Sequence, residues 1–295
     1  MATAPTAIDL SRVAAPAAIE ALDYETLLTA ATTRFGDQWE LARAENPALP
    51  AYDVDNLETD PAVILLQAWS YLRLLDRQRV NDAVKAVLAP LATGTDLDNV
   101  VAGANILRAD GESDAALRRR YLLTFDAPSA GSRDGYLLQA FTAWPLMHDA
   151  SVIGPAVHGR RGDVDIVIAG PGGRLPTGEE LALVRAAVNS TSVRPEAAAV
   201  VVLAATRATY VVDLTATIPR GPDPEVVRQE IITRVAAAAA ERAVIGGEVP
   251  ARFITGAAYG PSVIRVTQES PAADIAPEPY TIPICTSIHV RLETQ

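Results

Sequence analysis

Apolar residues recur at steps of three and four in two successive runs between residues 61 and about 91, and this pattern marks the clearest helix of the chain. The series consists of Leu65, Ala68, Leu72, Leu75, Val80, Val84, Val87 and Leu91. Asp60 is placed to cap the first turn, and Pro61 suits the first helical position. The pattern therefore predicts one long amphipathic helix that ends near Leu88, before Pro90.

Charged and large amphipathic side chains occupy the remaining positions of this helix. Opposite charges recur three residues apart in the set Arg73, Asp76, Arg77, Arg79 and Asp82. One interpretation is a solvated face opposite a core stripe. The other is a helix in a bundle shared between chains, and Gln67, Trp69 and Tyr71 favour it because large amphipathic side chains are enriched at interfaces.

Helix and strand patterns alternate along the rest of the chain. Helices are predicted over Tyr24–Trp39, Leu97–Leu107, Glu112–Thr124, Arg133–Trp144, Gly178–Asn189, Pro224–Glu241 and Pro250–Tyr259. Strands are predicted over Ala150–Val157, Asp163–Ala169, Glu196–Ala205, Thr209–Ile218, Ser262–Gln268 and Tyr280–Arg291. Helix-breaking and turn residues at Ser11, 127–132 and Pro222 separate several of these elements. The strand over Glu196–Ala205 is expected to be buried. Thr177 with Glu180 forms a capping-box pattern.

The order of these elements predicts an α+β fold with a helical N-terminal unit followed by two small α+β domains. The expected boundaries are 1–110, 111–206 and 207–295. A chain of 295 residues is long enough for two or three units.

Composition and charge narrow the class of protein. One cysteine cannot form an intrachain disulfide or a cysteine-rich zinc site. A net charge of -11 disfavours nucleic acid and anionic membranes as partners. Met1–Asp23 lacks the basic and apolar regions of a signal peptide, and the longest apolar run, Ala197–Ala205, is too short to cross a membrane. We expect synthesis in the cytoplasm and no membrane insertion.

Loops rich in glycine do not match nucleotide-binding patterns. Gly154–Arg161 has two glycines at the spacing of a phosphate loop, but Arg160 and Arg161 replace its lysine and hydroxyl residue. Gly170–Arg174 lacks the glycine spacing of a dinucleotide loop. The three histidines are not spaced as a helical metal pair, and we expect no cofactor and no metal.

Carboxylates are the remaining candidates for catalysis. Asp163 and Asp165 share one face of a predicted strand, as a glycosidase pair would, but aromatic residues make up only 5% of the chain. Glu179 and Glu180 suit the first turn of a helix, and Cys285 is interpreted as a small buried residue of a strand. The chain is therefore expected not to be an enzyme, with a carboxylate hydrolase as the competing class.

Four groups of segments, in the right order along the chain, resemble the baseplate J-like proteins of contractile phage tails. They are Asp9–Pro16; Leu65–Gln67 with Arg77–Ala83 and Ala92–Asp98; Glu112–Arg119 with Ala130–Tyr136; and Ser270–Asp274 with Ile284–Thr286. None is a chemical signature, and the likeness depends on their order. An equivalent subunit of a nonviral contractile injection particle is the alternative.

The resemblance implies a structural wedge subunit in the tail baseplate of the virion, in a sixfold ring around the hub and spike. Implied partners are other copies of itself, a tail-protein-I-like subunit, and hub, spike and sheath-initiating baseplate proteins. The helix after Pro61 becomes a bundle helix. Its implied interface residues are Leu65, Trp69, Leu72, Leu75, Arg77, Arg79, Asp82, Val84 and Val87, together with Val80.

Overall fold

The computed structural model describes residues 14–53, 57–126, 131–221 and 223–295. Its helices are α1 (Tyr24–Glu45), α2 (Pro61–Ala86), α3 (Gly94–Ala102), α4 (Asp114–Asp126), α5 (Arg133–Ala143), α6 (Pro155–His158), α7 (Gly178–Val188), α8 (Pro224–Arg242) and α9 (Ala251–Ala258). Its strands are β1 (Asp149–Ile153), β2 (Asp163–Ala169), β3 (Ala199–Ala204), β4 (Thr206–Ile218), β5 (Arg265–Ser270) and β6 (Thr281–Thr294). The predicted α+β class with a helical N-terminal region is confirmed.

Two compact units divide the chain, Asp9–Leu107 and Arg108–Gln295. The predicted domain boundary between residues 206 and 207 stays a prediction. Several positions named in the sequence analysis lie outside the described residues. They are the breaker at Ser11, residues 9–13 of the first resembling segment, residues 127–130 and Pro222. None of the helices in the described ranges is long and apolar enough to cross a membrane.

Helices α1, α2 and α3 make up the N-terminal unit. The side chain of Asp23 caps α1 by accepting a hydrogen bond from the Thr26 amide at 2.8 Å. The helix continues six residues past the predicted end at Trp39 and stops at Asn46, because Pro47 disfavours helical geometry in the residue before it. Helix α3 ends at Ala102, before the predicted Leu107, and Asn105 has a left-handed φ of 62°.

The first half of the C-terminal unit is a three-stranded sheet covered by helices. Its strand order is β1-β2-β3, with β1 antiparallel and β3 parallel to the central β2. Helix α7 lies between β2 and β3 in the chain, and the predicted capping box of Thr177 and Glu180 is confirmed. Apolar side chains of α5, α7 and the sheet form the core, among them Tyr136, Phe141, Ile166 and Val184.

The second half repeats this arrangement with the order β5-β4-β6. The central β4 pairs antiparallel with β5 and parallel with β6. Alternate residues of β4, including Val212, Leu214 and Ala216, point into a core shared with α8 and α9. This alternation is the period of two that predicted the strand.

Two strand predictions need correction. The strand expected over Ala150–Val157 ends at Ile153, because Gly154 and Pro155 open the short helix α6. The strand expected to be buried over Glu196–Ala205 is shorter and lies at the edge of its sheet. Val201 and Leu203 of this strand are 45% and 37% exposed, so its apolar run does not indicate burial on both faces.

Apolar and polar contacts join the two halves of the C-terminal unit. Ile153 and Val167 of the first sheet share a buried cluster with Ile282 and Ile284 of β6. His148 Nε2 lies 2.7 Å from the carbonyl oxygen of Ala243; a carbonyl oxygen only accepts, so this contact places the proton on Nε2. These contacts fasten the β1 end of the first sheet to the segment after α8.

Asp149 gives this junction a pH dependence. Its carboxylate accepts a hydrogen bond from the Ile245 amide at 2.7 Å. Burial raises the pKa of Asp149, although this hydrogen bond and the charge of Arg119 oppose the rise. The pKa of Asp149 is higher in the folded than in the unfolded state, so the folded state binds the proton more tightly. The contribution of Asp149 to stability therefore falls as the pH rises from the unfolded-state pKa through the folded-state pKa.

We therefore expect the effect of Asp149→Asn on the stability of the fold to be more favourable at neutral than at acid pH. The amide oxygen of asparagine can still accept from Ile245, but the variant avoids the free energy of burying a charge. Thermal unfolding of both proteins at about pH 4 and about pH 7 measures this difference. An equal change in melting temperature at both pH values would contradict the assignment.

Candidate assembly interface

Helix α2 begins as its sequence predicts and is the longest helix of the described residues. The carboxylate of Asp60 caps it by accepting hydrogen bonds from the amides of Ala62 at 2.8 Å and Val63 at 3.4 Å, and Pro61 occupies the first turn. The helix ends at Ala86, two residues before the predicted Leu88. The helix is thus a rod of 26 residues, or about 39 Å at the usual rise.

The two buried residues of α2 are polar, and the partly exposed side chains beside them include the apolar Val63, Leu66, Leu74 and Val84. Ser70 is fully buried and Asn81 is 5% exposed. Eleven residues complete about three helical turns, so these two side chains lie in one line along α2. Helix α1 packs against α2, and Asn81 faces Glu20 in the segment that leads into α1.

Leucines on the opposite face of α2 are exposed. Leu65, Leu72 and Leu75 are 69%, 60% and 47% exposed, and helical geometry places them about half a turn away from Ser70. The leucine stripe is therefore not the core of this chain. Soluble proteins rarely expose apolar patches of this kind unless the patch is an interaction surface.

The other predicted interface residues are divided between the faces of α2. Trp69, Arg79, Asp82, Val80 and Val87 are exposed. Arg77 and Val84 are seven and fourteen residues from Ser70, and so they lie on the side that faces α1 and are only partly exposed. The interface role of the whole set stays a prediction.

Hydrogen bonds hold the segment before α1 against Asn81 and Arg77 of α2. Asn81 Nδ2 donates to the carbonyl oxygen of Glu20 at 2.9 Å, and the Glu20 amide donates to Asn81 Oδ1 at 3.1 Å. Arg77 Nη1 donates to the Glu20 carboxylate at 3.0 Å. Asn81 thus both donates and accepts within the chain, whereas the buried Ser70 hydroxyl has no hydrogen-bond partner among the described residues.

Asp163 and Asp165, the candidates for catalysis, are held by basic and phenolic groups. Arg160 donates to Asp163 at 2.9 Å and to Asp165 at 2.5 Å, and the Tyr280 hydroxyl donates to Asp165 at 2.6 Å. Burial alone would raise the pKa of Asp165, but the hydrogen bonds from Tyr280 and Arg160 outweigh it and lower the pKa. A glycosidase needs one carboxyl with a raised pKa as its general acid, and Asp165 does not provide it.

The other sequence candidates have structural partners. Arg174 hydrogen bonds to Glu180 and lowers the pKa of that carboxyl to about 2. Cys285 lies in β6 as predicted but is only partly buried, and burial raises the pKa of its thiol, which disfavours the reactive thiolate. Within the described ranges, no group of three or more His, Cys, Asp or Glu residues could hold a metal ion.

Comparison with known proteins identifies the family. Residues 58–109 match the model of the baseplate J-like N-terminal domain. Over 300 aligned residues, 96% of this chain and 97% of the relative, the chain is 30% identical to "Baseplate protein J" of Escherichia phage P2. The chain belongs to the baseplate J-like family. As a baseplate J-like protein it has a structural role in the phage tail baseplate, and the matched residues contain α2 and α3.

One site of this baseplate J-like protein escaped the sequence analysis. Arg120 donates to Glu112 through Nε at 2.8 Å and Nη2 at 3.0 Å, and the two side chains are 7% and 0% exposed. Glu112 belongs to a segment that carries the family resemblance, but it lies before α4 and its partner Arg120 lies inside α4, eight residues away. The spacing gave no signal, because opposite charges on a helix are expected to meet at three or four residues.

Proposed function

We propose that this chain is a wedge component of the baseplate and that the exposed leucine face of α2 joins it to neighbouring chains. The observation that carries the proposal is the exposed stripe of Leu65, Leu72 and Leu75 on α2, a helix whose two buried residues are both polar. A helix that folded only for its own chain would turn its apolar stripe toward its own core. An exposed stripe fits a helix whose apolar partner is another chain.

The small core of the N-terminal unit supports the same proposal. Of the described residues of α1 and α2, only Ala31, Ser70 and Asn81 are buried. None of the hydrophobic clusters formed by described residues includes α1 or α2. Because most of the stability of a protein helix comes from packing an apolar face, these two helices depend on a partner for much of their stability.

Membership of the baseplate J-like family supports a proposal for the partners. A tail-protein-I-like subunit and other copies of this chain would complete the helical bundle, and the Arg108–Gln295 unit would contact neighbours that close a sixfold ring around hub and spike. Sheath-initiating proteins would bind the finished ring. Assembly would take place in the host cytoplasm, with no cofactor, and the product would be the tail baseplate of the virion.

Leu72→Asp is expected to block formation of the heteromer. A charge placed in the centre of a desolvated apolar interface costs about 2 kcal/mol or more, which corresponds to at least about a thirtyfold loss of affinity. Co-expression with the neighbouring tail subunits, followed by mass measurement of the purified complex, tests this. The Arg108–Gln295 unit should remain folded, as hydrogen exchange of its strands would report.

Leu41→Asp is the matched control. Leu41 is 61% exposed on α1, close to the 60% of Leu72, but it lies outside the leucine stripe of α2. We expect this variant to assemble normally. Full assembly of Leu72→Asp would defeat the proposed interface.

A further inference from the structure

Aromatic side chains surround a hollow of about 160 Å³ on α1. Phe35, Trp39 and Tyr52 line it, with ring centroids 5.0 to 6.0 Å apart. Two hydrogen bonds hold the rings in place: Trp39 Nε1 donates to the carbonyl oxygen of Pro50 at 3.0 Å, and the Tyr52 hydroxyl donates to Asp60 Oδ1 at 2.9 Å. The walls of the hollow are therefore fixed before anything binds.

Gly36 belongs to the lining of this hollow and has no structural reason to be glycine within its own chain. It is the thirteenth of 22 residues in α1, and apart from its chain neighbours and the nearby backbone of α1, no described heavy atom lies within 4 Å of the position that a Cβ would take. A glycine in the interior of a helix costs about 1 kcal/mol relative to alanine. An open space kept at that cost suits the close approach of a side chain from another molecule.

The charges of α1 and α2 are complementary to each other. On α1 the acidic residues Glu25, Asp37, Glu40 and Glu45 outnumber Arg34 and Arg43. On α2 the basic residues Arg73, Arg77, Arg79 and Lys85 outnumber Asp76 and Asp82. An acidic helix with an aromatic hollow on one copy thus matches a basic helix with an exposed leucine ridge on another.

We propose that the hollow at Gly36 receives a leucine from α2 of a second copy of this chain. The inference rests on the proposed function, because it names the partner of the exposed α2 face. One hairpin carries both the ridge and the hollow, so two copies related by a two-fold axis make the contact twice. Aromatic walls around a central apolar anchor are the usual composition of an interface hot spot.

Filling the hollow tests this proposal without weakening the helix. Gly36→Leu raises helix propensity and occupies the space, so the variant should stay folded while self-association of the full chain weakens at least about tenfold. Gly256→Leu is the control, since Gly256 is also an exposed helical glycine with no described atom within 4 Å of its Cβ position. Sedimentation equilibrium measures self-association; unchanged association of Gly36→Leu overturns the inference.

Disulfide trapping identifies the occupant. One tagged chain carries Gly36→Cys and a second, differently tagged chain carries Leu65→Cys or Leu72→Cys, both with Cys285→Ser to remove the native thiol. After co-expression with the neighbouring tail subunits, oxidation should link the two tagged chains. A link from position 36 to another subunit, or no link at all, overturns the inference. The proposed role of the α2 leucine face is tested separately: normal assembly of Leu72→Asp would contradict it.

Discussion

Replacing Glu112 with glutamine is expected to lower the free energy of unfolding of the Arg108–Gln295 unit by about 3–5 kcal/mol. The carboxylate of Glu112 is fully buried and binds the guanidinium of Arg120 through both oxygens. It also accepts from the Ala109 amide at 2.9 Å, while the backbone carbonyl of Glu112 accepts from Arg108 at 2.9 Å. Glutamine removes the carboxylate to which Arg120 donates through two nitrogens while the guanidinium stays buried, which explains the size of the effect.

Two further variants separate the buried charge from other effects of the substitution. Adding Arg120→Met to Glu112→Gln also removes the buried positive charge and should recover much of the loss. Glu230→Gln breaks the exposed pair with Arg234 at 3.6 Å and should change stability by at most about 1 kcal/mol. Urea titration followed by hydrogen exchange in α4 and α5 reports on this unit alone, since a chain of two units need not unfold in one step. Equal effects of Glu112→Gln and Glu230→Gln would refute the prediction.

Elements with local signals could be predicted from the sequence. Asp60 and Pro61 mark the start of α2, and Thr177 with Glu180 marks that of α7, because a cap involves residues within one turn. The central strand β4 was recognised from its alternation, since side chains on a strand point to opposite faces in turn.

Contacts between residues distant in the chain could not be predicted in this way. The apolar run of β3 is the same whether the strand lies at the centre or at the edge of a sheet, and only the strand order exposes Val201 and Leu203. Likewise, nothing near Asp165 in the sequence indicates the hydroxyl of Tyr280, 115 residues away, that keeps this carboxylate ionised. Such contacts depend on the packing of two sheets.

The candidate interface was predictable in part. Periodicity alone located the leucines of α2, but it could not decide whether they point into the chain or away from it. Ser70 and Asn81 decide this, because they are the buried residues of α2. The hydrogen bonds of Asn81 to Glu20, 61 residues away, have no local signature in the sequence.

Gly173→Ala is expected to destabilise the junction of the two sheets by about 2–5 kcal/mol. Gly173 lies in the turn after β2 with a φ of 73°, and a Cβ there would collide with Ile284 Cδ1. Ile284 belongs to the buried cluster between the sheets and is 8% exposed, so it has little room to move. Both a left-handed backbone and a collision therefore oppose any side chain at this position.

Gly172→Ala separates these two effects. Gly172 has a φ of 63° in the same turn, but no described atom lies within 4 Å of its Cβ position. It should therefore lose only the backbone component of about 1–2 kcal/mol. Ile284→Val removes the colliding atom and should rescue part of the loss in Gly173→Ala but none in Gly172→Ala. Urea unfolding followed by hydrogen exchange in β2 and β6 measures the stability of each variant. Equal losses of stability in Gly172→Ala and Gly173→Ala would show that Ile284 does not limit the size of the side chain at position 173.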